Sequence, residues 1–383
     1  MKRTVFDDEH LMYRDTVRRF IDAEIAPNHE RWETDGAVDR DLFRRAAEQG
    51  LLGLQVPEEF GGPGIDDFRF NQIINEEVGY AAVIGSGTGL TLHNDVALPY
   101  FLDLCNDEQR ARWLPGIADG TLIAALALTE PGMGSDLASM STSAAKTDHG
   151  YVVNGSKTFI TNGINADLVV TAVKTDPSQK HRGISLVVLE RGMDGFERGR
   201  NLEKLGMHAQ DTAELFFRDV EVPAENLLGE EGRGFTYMTA NLAQERIGIA
   251  LAAIGVARGA LDRTLEYVRE RQAFGQSIGQ FQASRFTLAE LATDVELGTV
   301  FCDRAVLALN DGDLTPEDAA MAKWWCTEMQ GRVVDRCLQL HGGYGYMLEY
   351  PIARWYADSR ISRIYGGTTE IMKEIIGRSV VGR

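Results

Sequence analysis

Apolar and polar positions along the chain follow two rhythms, and the change of rhythm divides it into three parts. From residue 7 to about 120, apolar side chains recur every three or four residues, the spacing of one helical face. Asp7-Asp8-Glu9 opens an amphipathic run through Phe20, Ile21 and Ile25 whose end Pro27 disturbs, and further helices are predicted over 39–49, 68–80 and 97–117. From 121 to about 229 the apolar runs shorten to strand length, over 122–128, 151–160, 168–173, 184–189 and 214–217. Asn154-Gly155 inside the second run predicts a two-residue hairpin turn. Helices do not alternate regularly with these strands, which favours an antiparallel barrel or sandwich over a doubly wound sheet. Helical spacing returns over 235–271, 282–309, 316–341 and 350–360, with a last helix after Glu370. The expected architecture is α+β: a helical domain over 1–120, a β domain over 121–229 and a helical bundle over 230–383.

The 235–271 stretch breaks its own pattern. Met238, Leu242, Glu245, Ile249, Ala252 and Val256 share one helical face, and only Glu245 among them is charged. A carboxyl on such a face loses hydration, and its pKa rises unless a cation is near. Arg246 follows directly, but successive helix residues do not face each other. Two readings stay open from the spacing: a core ion pair with a basic residue of another helix, or a general base in a dry pocket.

Composition narrows the function classes. With 383 residues, 44% of them hydrophobic, the chain can bury a large core, and a net charge of −18 argues against general nucleic-acid binding or an anionic membrane surface. The four cysteines show no CxxC spacing and the seven histidines no HxxxH or HExxH spacing, so buried reduced thiols and no metal are expected. No apolar run reaches membrane-spanning length, and the start lacks a signal-peptide core, from which a cytoplasmic protein is expected.

Three glycine-containing loops could carry chemistry. Thr129-Glu-Pro-Gly-Met-Gly-Ser-Asp136 ends a strand and could offer backbone N–H groups and hydroxyls to a phosphate or a flavin ring; equally it could be a plain turn. Gly342-Gly343-Tyr344-Gly345 reads as a helix stop. Gly366-Gly367 before Thr368-Thr369-Glu370 reads as a capped helix start, whose free N–H groups could also hold an anion or a polarised carbonyl. No GxGxxG follows a strand.

Taken in order along the whole chain, the 129–136 motif, Lys157-Thr-Phe-Ile-Thr-Asn-Gly163, Arg271-Gln-Ala-Phe-Gly275, Gln339-Leu-His-Gly-Gly343 and Ile364-Tyr-Gly-Gly-Thr368 resemble the acyl-CoA dehydrogenase family. The resemblance implies an N-terminal helical domain, a central β-barrel or sandwich domain, a C-terminal four-helix bundle, FAD as cofactor and a homotetramer. By motif position it implies that Thr129, Ser135, Phe159 and Thr161 line the flavin, Phe159 standing where several branches carry tryptophan. It implies that Arg271, Phe274, Gln282, Gln339, Gly342 and Gly343 reach FAD across a subunit interface, with Thr368 and Glu370 at the pyrophosphate end in the same subunit. Ser135, Arg246, Tyr365 and Gly366 are expected to touch substrate. Many members carry the catalytic glutamate immediately after the tyrosine of the last motif, where this chain has Gly366. Gln244-Glu245-Arg246 matches instead the long-chain and isovaleryl branches, and the Gly366-Gly367-Thr368 variant is most similar to the long-chain type.

The implied reaction is α,β-dehydrogenation of an acyl-CoA thioester to the trans-2-enoyl-CoA, as in fatty-acid β-oxidation, with Glu245 as base and an electron-transfer flavoprotein taking the electrons. An oxidase using oxygen and a subunit of a mixed assembly are the alternatives. Acyl length, branching and ring content are not legible in these motifs.

Overall fold

The computed structural model describes residues 3–382. Helices α1 (Asp8–Phe20), α2 (His29–Asp35), α3 (Asp41–Glu48), α4 (Arg69–Tyr80), α5 (Ile84–Leu92), α6 (Leu98–Leu104) and α7 (Asp107–Ala118) come first. Asp7 caps α1 by accepting from His10 N, and Asp8 and Glu9 complement the helix dipole in the first turn. The helix expected over 97–117 is two helices. Asn106 accepts from Gln109 N while the Gln109 side chain accepts from Asn106 N, and this reciprocal cap starts α7 afresh.

Eight strands follow: β1 (Ala124–Ala127), β2 (Ser143–Thr147), β3 (Gly150–Thr161), β4 (Leu168–Lys174), β5 (Ile184–Glu190), β6 (Phe196–Asn201), β7 (Thr212–Pro223) and β8 (Leu227–Leu228). They form one sheet in the order β6-β7-β3-β2-β4-β5-β8, with β1 also paired to β4. Most pairs are antiparallel; β1–β4 and β2–β4 are parallel. Both faces are covered. Along β4 and β5, Leu168, Val170, Leu186 and Val188 face a core shared with α6 and α7, whereas Val169, Val173, Val187 and Leu189 face a second core against β3 and β7.

The hairpin turn expected at Asn154-Gly155 lies elsewhere. The chain reverses at Asp148-His149, and Asn154-Gly155 sits inside β3, where the register against β7 slips. Asn154 exchanges hydrogen bonds with Asp219, and a β-carbon at Gly155 would stand 2.7 Å from Thr142 Cα. Here glycine serves a bulge and a close backbone approach.

Helix α8 (Gly234–Glu270) opens the last part. A two-strand hairpin of β9 (Gln272–Ala273) and β10 (Gln276–Ser277) leads to α9 (Gln282–Asn310), α10 (Pro316–His341), α11 (Pro351–Ser359) and α12 (Thr369–Val380). α8, α9, α10 and α12 pack as a bundle, and α4 lies along α8 from the N-terminal side. Among the described residues no helix is long and apolar enough to cross a membrane. All four cysteines are buried free thiols.

Candidate active site

The α4–α8 contact leaves a cavity of about 180 Å³, closed on its other sides by α5, the segment after it, and the Tyr365-Gly366 turn. Glu245 projects into it from α8 and is buried. Of the two readings of this residue, the ion pair does not form. Its one hydrogen-bond partner among the described residues is Tyr100 on α6, whose Oη donates to Oε1 at 3.3 Å. Burial pushes the Glu245 carboxyl up to about 7, opposed by the Tyr100 bond and by the charge of Arg246. A carboxyl at that value is partly ionised near neutrality, which suits a base that accepts a weakly acidic proton. Apolar residues Val78, Ile84, Leu92, Val96, Ile249 and Ala252 line much of the remaining wall.

Gly366 lies across the cavity with φ of +62°. Its N–H is not engaged in a backbone hydrogen bond among the described residues. A β-carbon there would stand 2.3 Å from Ile249 Cδ1, so glycine answers both a left-handed backbone and a lack of room.

Thr161 and Tyr365 border this cavity and also a neighbouring recess of about 370 Å³, to which Phe159 and the 202–207 segment contribute. Phe159 is 67% exposed at φ of +61°, where the β3–β7 register slips between Lys157 and Ile160. An exposed aromatic held in that backbone region is a strained feature of the kind found at ligand sites. The 129–136 loop ahead of it is pinned by a pair that the sequence reading missed: Lys157 Nζ donates to Glu130 Oε1 at 2.9 Å and to Leu128 O, with both side chains buried. Glu130 also accepts from Ser141 and Thr142. Against burial, the Lys157 charge and these bonds hold its carboxyl down at about 2. Thr129 is half-buried and Ser135 exposed on this loop, and Gly132 and Gly134 have nothing within 4 Å of a built β-carbon.

Arg271, Gln339, Gly342 and Gly343 gather in a different recess of about 560 Å³, with Tyr267 and Tyr344. It shares no lining residue with the two cavities around Thr161. Phe274 stands at the tip of the β9–β10 hairpin, 96% exposed, and Gln282 is exposed at the start of α9. Thr368 caps α12 by accepting from Ile371 N, and the backbone at this helix start holds the exposed Glu370 carboxyl below its usual range. Arg246 is buried with neither an ion pair nor a hydrogen bond among the described residues, and its Nε is an orphaned donor. A buried guanidinium without a partner calls for an acceptor that the chain does not supply.

Three more features were not found from sequence. Tyr100 is an ordinary aromatic by pattern. Asp95 lies on a π-helical turn (His93–Ala97) between α5 and α6, a distortion that periodicity does not reveal. His181, Arg182 and Arg233 meet in a positive recess at the start of α8, from segments about fifty residues apart. No cluster of metal-ligating groups exists among the described residues.

The chain matches three family profiles: "Acyl-CoA dehydrogenase, N-terminal domain" over residues 7–121, "middle domain" over 125–220 and "C-terminal domain" over 232–381. It is 44% identical over 381 residues to the long-chain specific acyl-CoA dehydrogenase of Rattus norvegicus, covering 99% of this chain and 88% of that protein. The solved acyl-CoA dehydrogenase of Geobacillus kaustophilus superposes with a TM-score of 0.95 at 48% identity, over 98% of both chains. A glutaryl-CoA dehydrogenase from Mycobacterium smegmatis in complex with FADH2 superposes with a TM-score of 0.92 at 26% identity, over 99% of this chain and 96% of that one. With profiles spanning nearly its whole length, the chain belongs to the acyl-CoA dehydrogenase family of oxidoreductases.

Proposed function

We propose that the protein dehydrogenates an acyl-CoA thioester across its α and β carbons, with Glu245 as the base. The observation that carries this reading is the placement of Glu245: a buried carboxyl without a cation partner, facing an apolar-walled cavity whose opposite side presents the Gly366 N–H. The α-proton goes to Glu245, the β-hydrogen leaves as hydride, and the C–H electron pair left at the α-carbon becomes the new C=C bond. The Gly366 N–H supports charge on the thioester oxygen as the proton leaves. The apolar walls keep water from the carboxyl and hold the chain extended.

The residues present fit FAD. Gly132, Gly134, Gly342 and Gly343 offer backbone with open space in front of it, Phe159 and Thr161 offer an aromatic face and a hydroxyl, and Arg271 offers a fork for phosphate. When bound, FAD supplies the hydride acceptor. Thr129 and Ser135 would lie along it in this subunit, with Thr368 and Glu370 at its pyrophosphate end; Arg271, Phe274, Gln282, Gln339, Gly342 and Gly343 would serve a neighbouring subunit. That assignment draws on the separation of the two recesses and on the exposed Phe274, Phe286, Leu297, Val300, Tyr346 and Leu348, apolar surface suited to a homotetramer. Tyr365, Ser135 and the unpaired Arg246 would face substrate. The positive recess at the start of α8 fits the phosphates of CoA, since Glu245 lies ten residues beyond Phe235, about 15 Å along the helix.

The electrons would pass to an electron-transfer flavoprotein. Anaerobic addition of acyl-CoA to the flavin-loaded protein should bleach the flavin, and air should restore it slowly. Fast reoxidation in air would make the protein an oxidase; no bleaching with any acyl-CoA would make it a non-catalytic subunit of a mixed assembly.

A further inference from the structure

The wall of the acyl cavity holds a buried carboxyl besides Glu245 that proton abstraction does not use. Asp95 lines the cavity and is buried, as are Asn71 and Asn75 of α4 beside it. Asn71 Nδ2 donates to Asp95 Oδ1 at 2.6 Å, and Asn75 Nδ2 donates to Oδ2 at 2.6 Å and to Asn71 O at 2.9 Å. Each amide therefore turns its N–H groups toward Asp95 and its oxygen away. Asn71 Oδ1 is buried without a donor, and Asn75 Oδ1 receives none among the described residues. On α8, the residue opposite is Gly248. A β-carbon built there would stand 3.5 Å from Asp95 Oδ2 and 3.9 Å from Asn75 Oδ1, in ordinary contact. The absence of a side chain at Gly248 leaves these two oxygens facing the cavity.

Resting on the dehydrogenase reading above, we propose that Asp95 and Asn75 form a hydrogen-bond-accepting station for a hydroxyl carried in the middle of the acyl chain. With the Asp95 carboxyl ionised, the station presents oxygens and no donor, so its ligand must bring the hydrogen. Burial pushes that carboxyl up to about 7 against the two amide bonds, so the station takes this form above neutrality, where the test belongs. Thr88 and Thr91 do not supply it, because their hydroxyls donate to Ile84 O and Thr88 O. Two neighbouring acceptors match a single O–H; an ammonium would bring three N–H donors and a full hydration shell to shed. Gly248 lies one turn beyond Glu245, about 4.5 Å along α8, so the hydroxyl falls a few carbons past the reacting pair. A site built to bind a hydroxyl discriminates against the chain that lacks it more strongly than an apolar pocket discriminates by size.

The test is a set of straight-chain CoA esters of one length, either unsubstituted or with a hydroxyl at successive positions. Flavin reduction rate and calorimetric Kd would be measured on the holoenzyme. One hydroxyl position should be preferred over its neighbours and over the unsubstituted chain by roughly tenfold or more in rate divided by Kd. Gly248→Ala covers the station without disturbing its groups, and Asp95→Asn removes the charge that orients both amides; each should reduce the preference to about threefold or less. A uniform penalty for the hydroxyl at every position, with brisk reduction by the unsubstituted ester, would overturn the proposal and leave Asp95 with a bound water. Binding without flavin reduction by any ester would instead count against the dehydrogenase reading, while the Kd values would still report on the station.

Discussion

Tyr100 and Glu245 meet across the α6–α8 contact, the phenol donating to the buried carboxylate at 3.3 Å, its one hydrogen bond among the described residues. The bond favours the ionised carboxylate and so works against burial. Tyr100→Phe should therefore raise the Glu245 pKa, by roughly 0.5–1 unit for a bond worth about 1 kcal/mol. The flavin reduction rate plotted against pH should move its rising limb upward by that amount, with the plateau above pH 9 little changed. An unmoved limb would show that Tyr100 only packs.

Glu245→Gln should fold, hold FAD and bind acyl-CoA, with flavin reduction slower by on the order of 10³-fold or more. Its stability should depend on pH in a defined sense. Below pH 4.5 the native carboxyl is protonated in both the folded and the unfolded chain. Between 4.5 and about 7 the unfolded chain ionises while the folded one resists, so wild-type stability falls across that window and stays low above it. The neutral amide of the variant carries no such cost. Urea unfolding of both proteins should agree near pH 4.5 and differ by up to about 3 kcal/mol in favour of the variant at pH 8.

Helix spacing singled out Glu245 without choosing between an ion pair and a base, and the succession of helices, strands and bundle was legible because long amphipathic runs report burial directly. The partners of Glu245 were not legible. Tyr100 lies 145 residues away, and its role depends on how α6 meets α8. Asn154-Gly155 misled because the same dipeptide serves a tight turn and a bulge, and only the close approach of Thr142 decides between them. Asp95 was hidden because a π-turn shifts its side chain off the face that a 3.6-residue period assigns. Arg271 and Gln339 could be grouped by motif order, but an isolated protomer keeps their recess apart from that of Thr161.

The Lys157–Glu130 pair fixes the 129–136 loop against β3. Removing one partner strands a buried charge, which costs about 3–5 kcal/mol. Lys157→Met should lose about that much in urea unfolding and weaken flavin retention, because Thr129 and Phe159 flank the pair. Glu130→Gln combined with Lys157→Met should recover much of the loss, since both charges are then gone. A double variant as unstable as the single would show that the hydrogen bonds from Ser141 and Thr142 to Glu130 matter more than the charge.

Phe274 contributes almost nothing to its own protomer, being 96% exposed. Phe274→Ser and Arg271→Ala should leave the helical signal and protomer packing intact while lowering FAD content and loosening the oligomer together. Sedimentation of the apo and holo forms measures both. A holo monomer with full flavin occupancy would remove these residues from a neighbour's cofactor site.

Whether the base could act from the other side of the cavity is decided by Gly366 and Ile249. If Glu245 and position 366 look onto the same substrate carbon, Glu245→Gly combined with Gly366→Glu should regain part of the activity lost by Glu245→Gly. The geometry limits the gain in two ways. The backbone at Gly366 has φ of +62°, which a glutamate adopts only with strain, and its β-carbon would lie 2.3 Å from Ile249 Cδ1. Any shift that relieves the contact also moves the Gly366 N–H away from the thioester oxygen, and small misplacements of a base or donor are costly. Shortening Ile249 removes the steric part alone. The triple variant that adds Ile249→Ala should therefore reduce flavin faster than the double, and on shorter chains more than on longer ones, because the new side chain still occupies part of the cavity. Gly366→Glu alone should slow turnover, since two carboxyls sharing one site raise the pKa of one of them. Flavin reduction rates for the five proteins across a chain-length series measure all of this. A triple variant no faster than Glu245→Gly, at full FAD content and normal ligand binding, would show that the two positions do not address the same carbon.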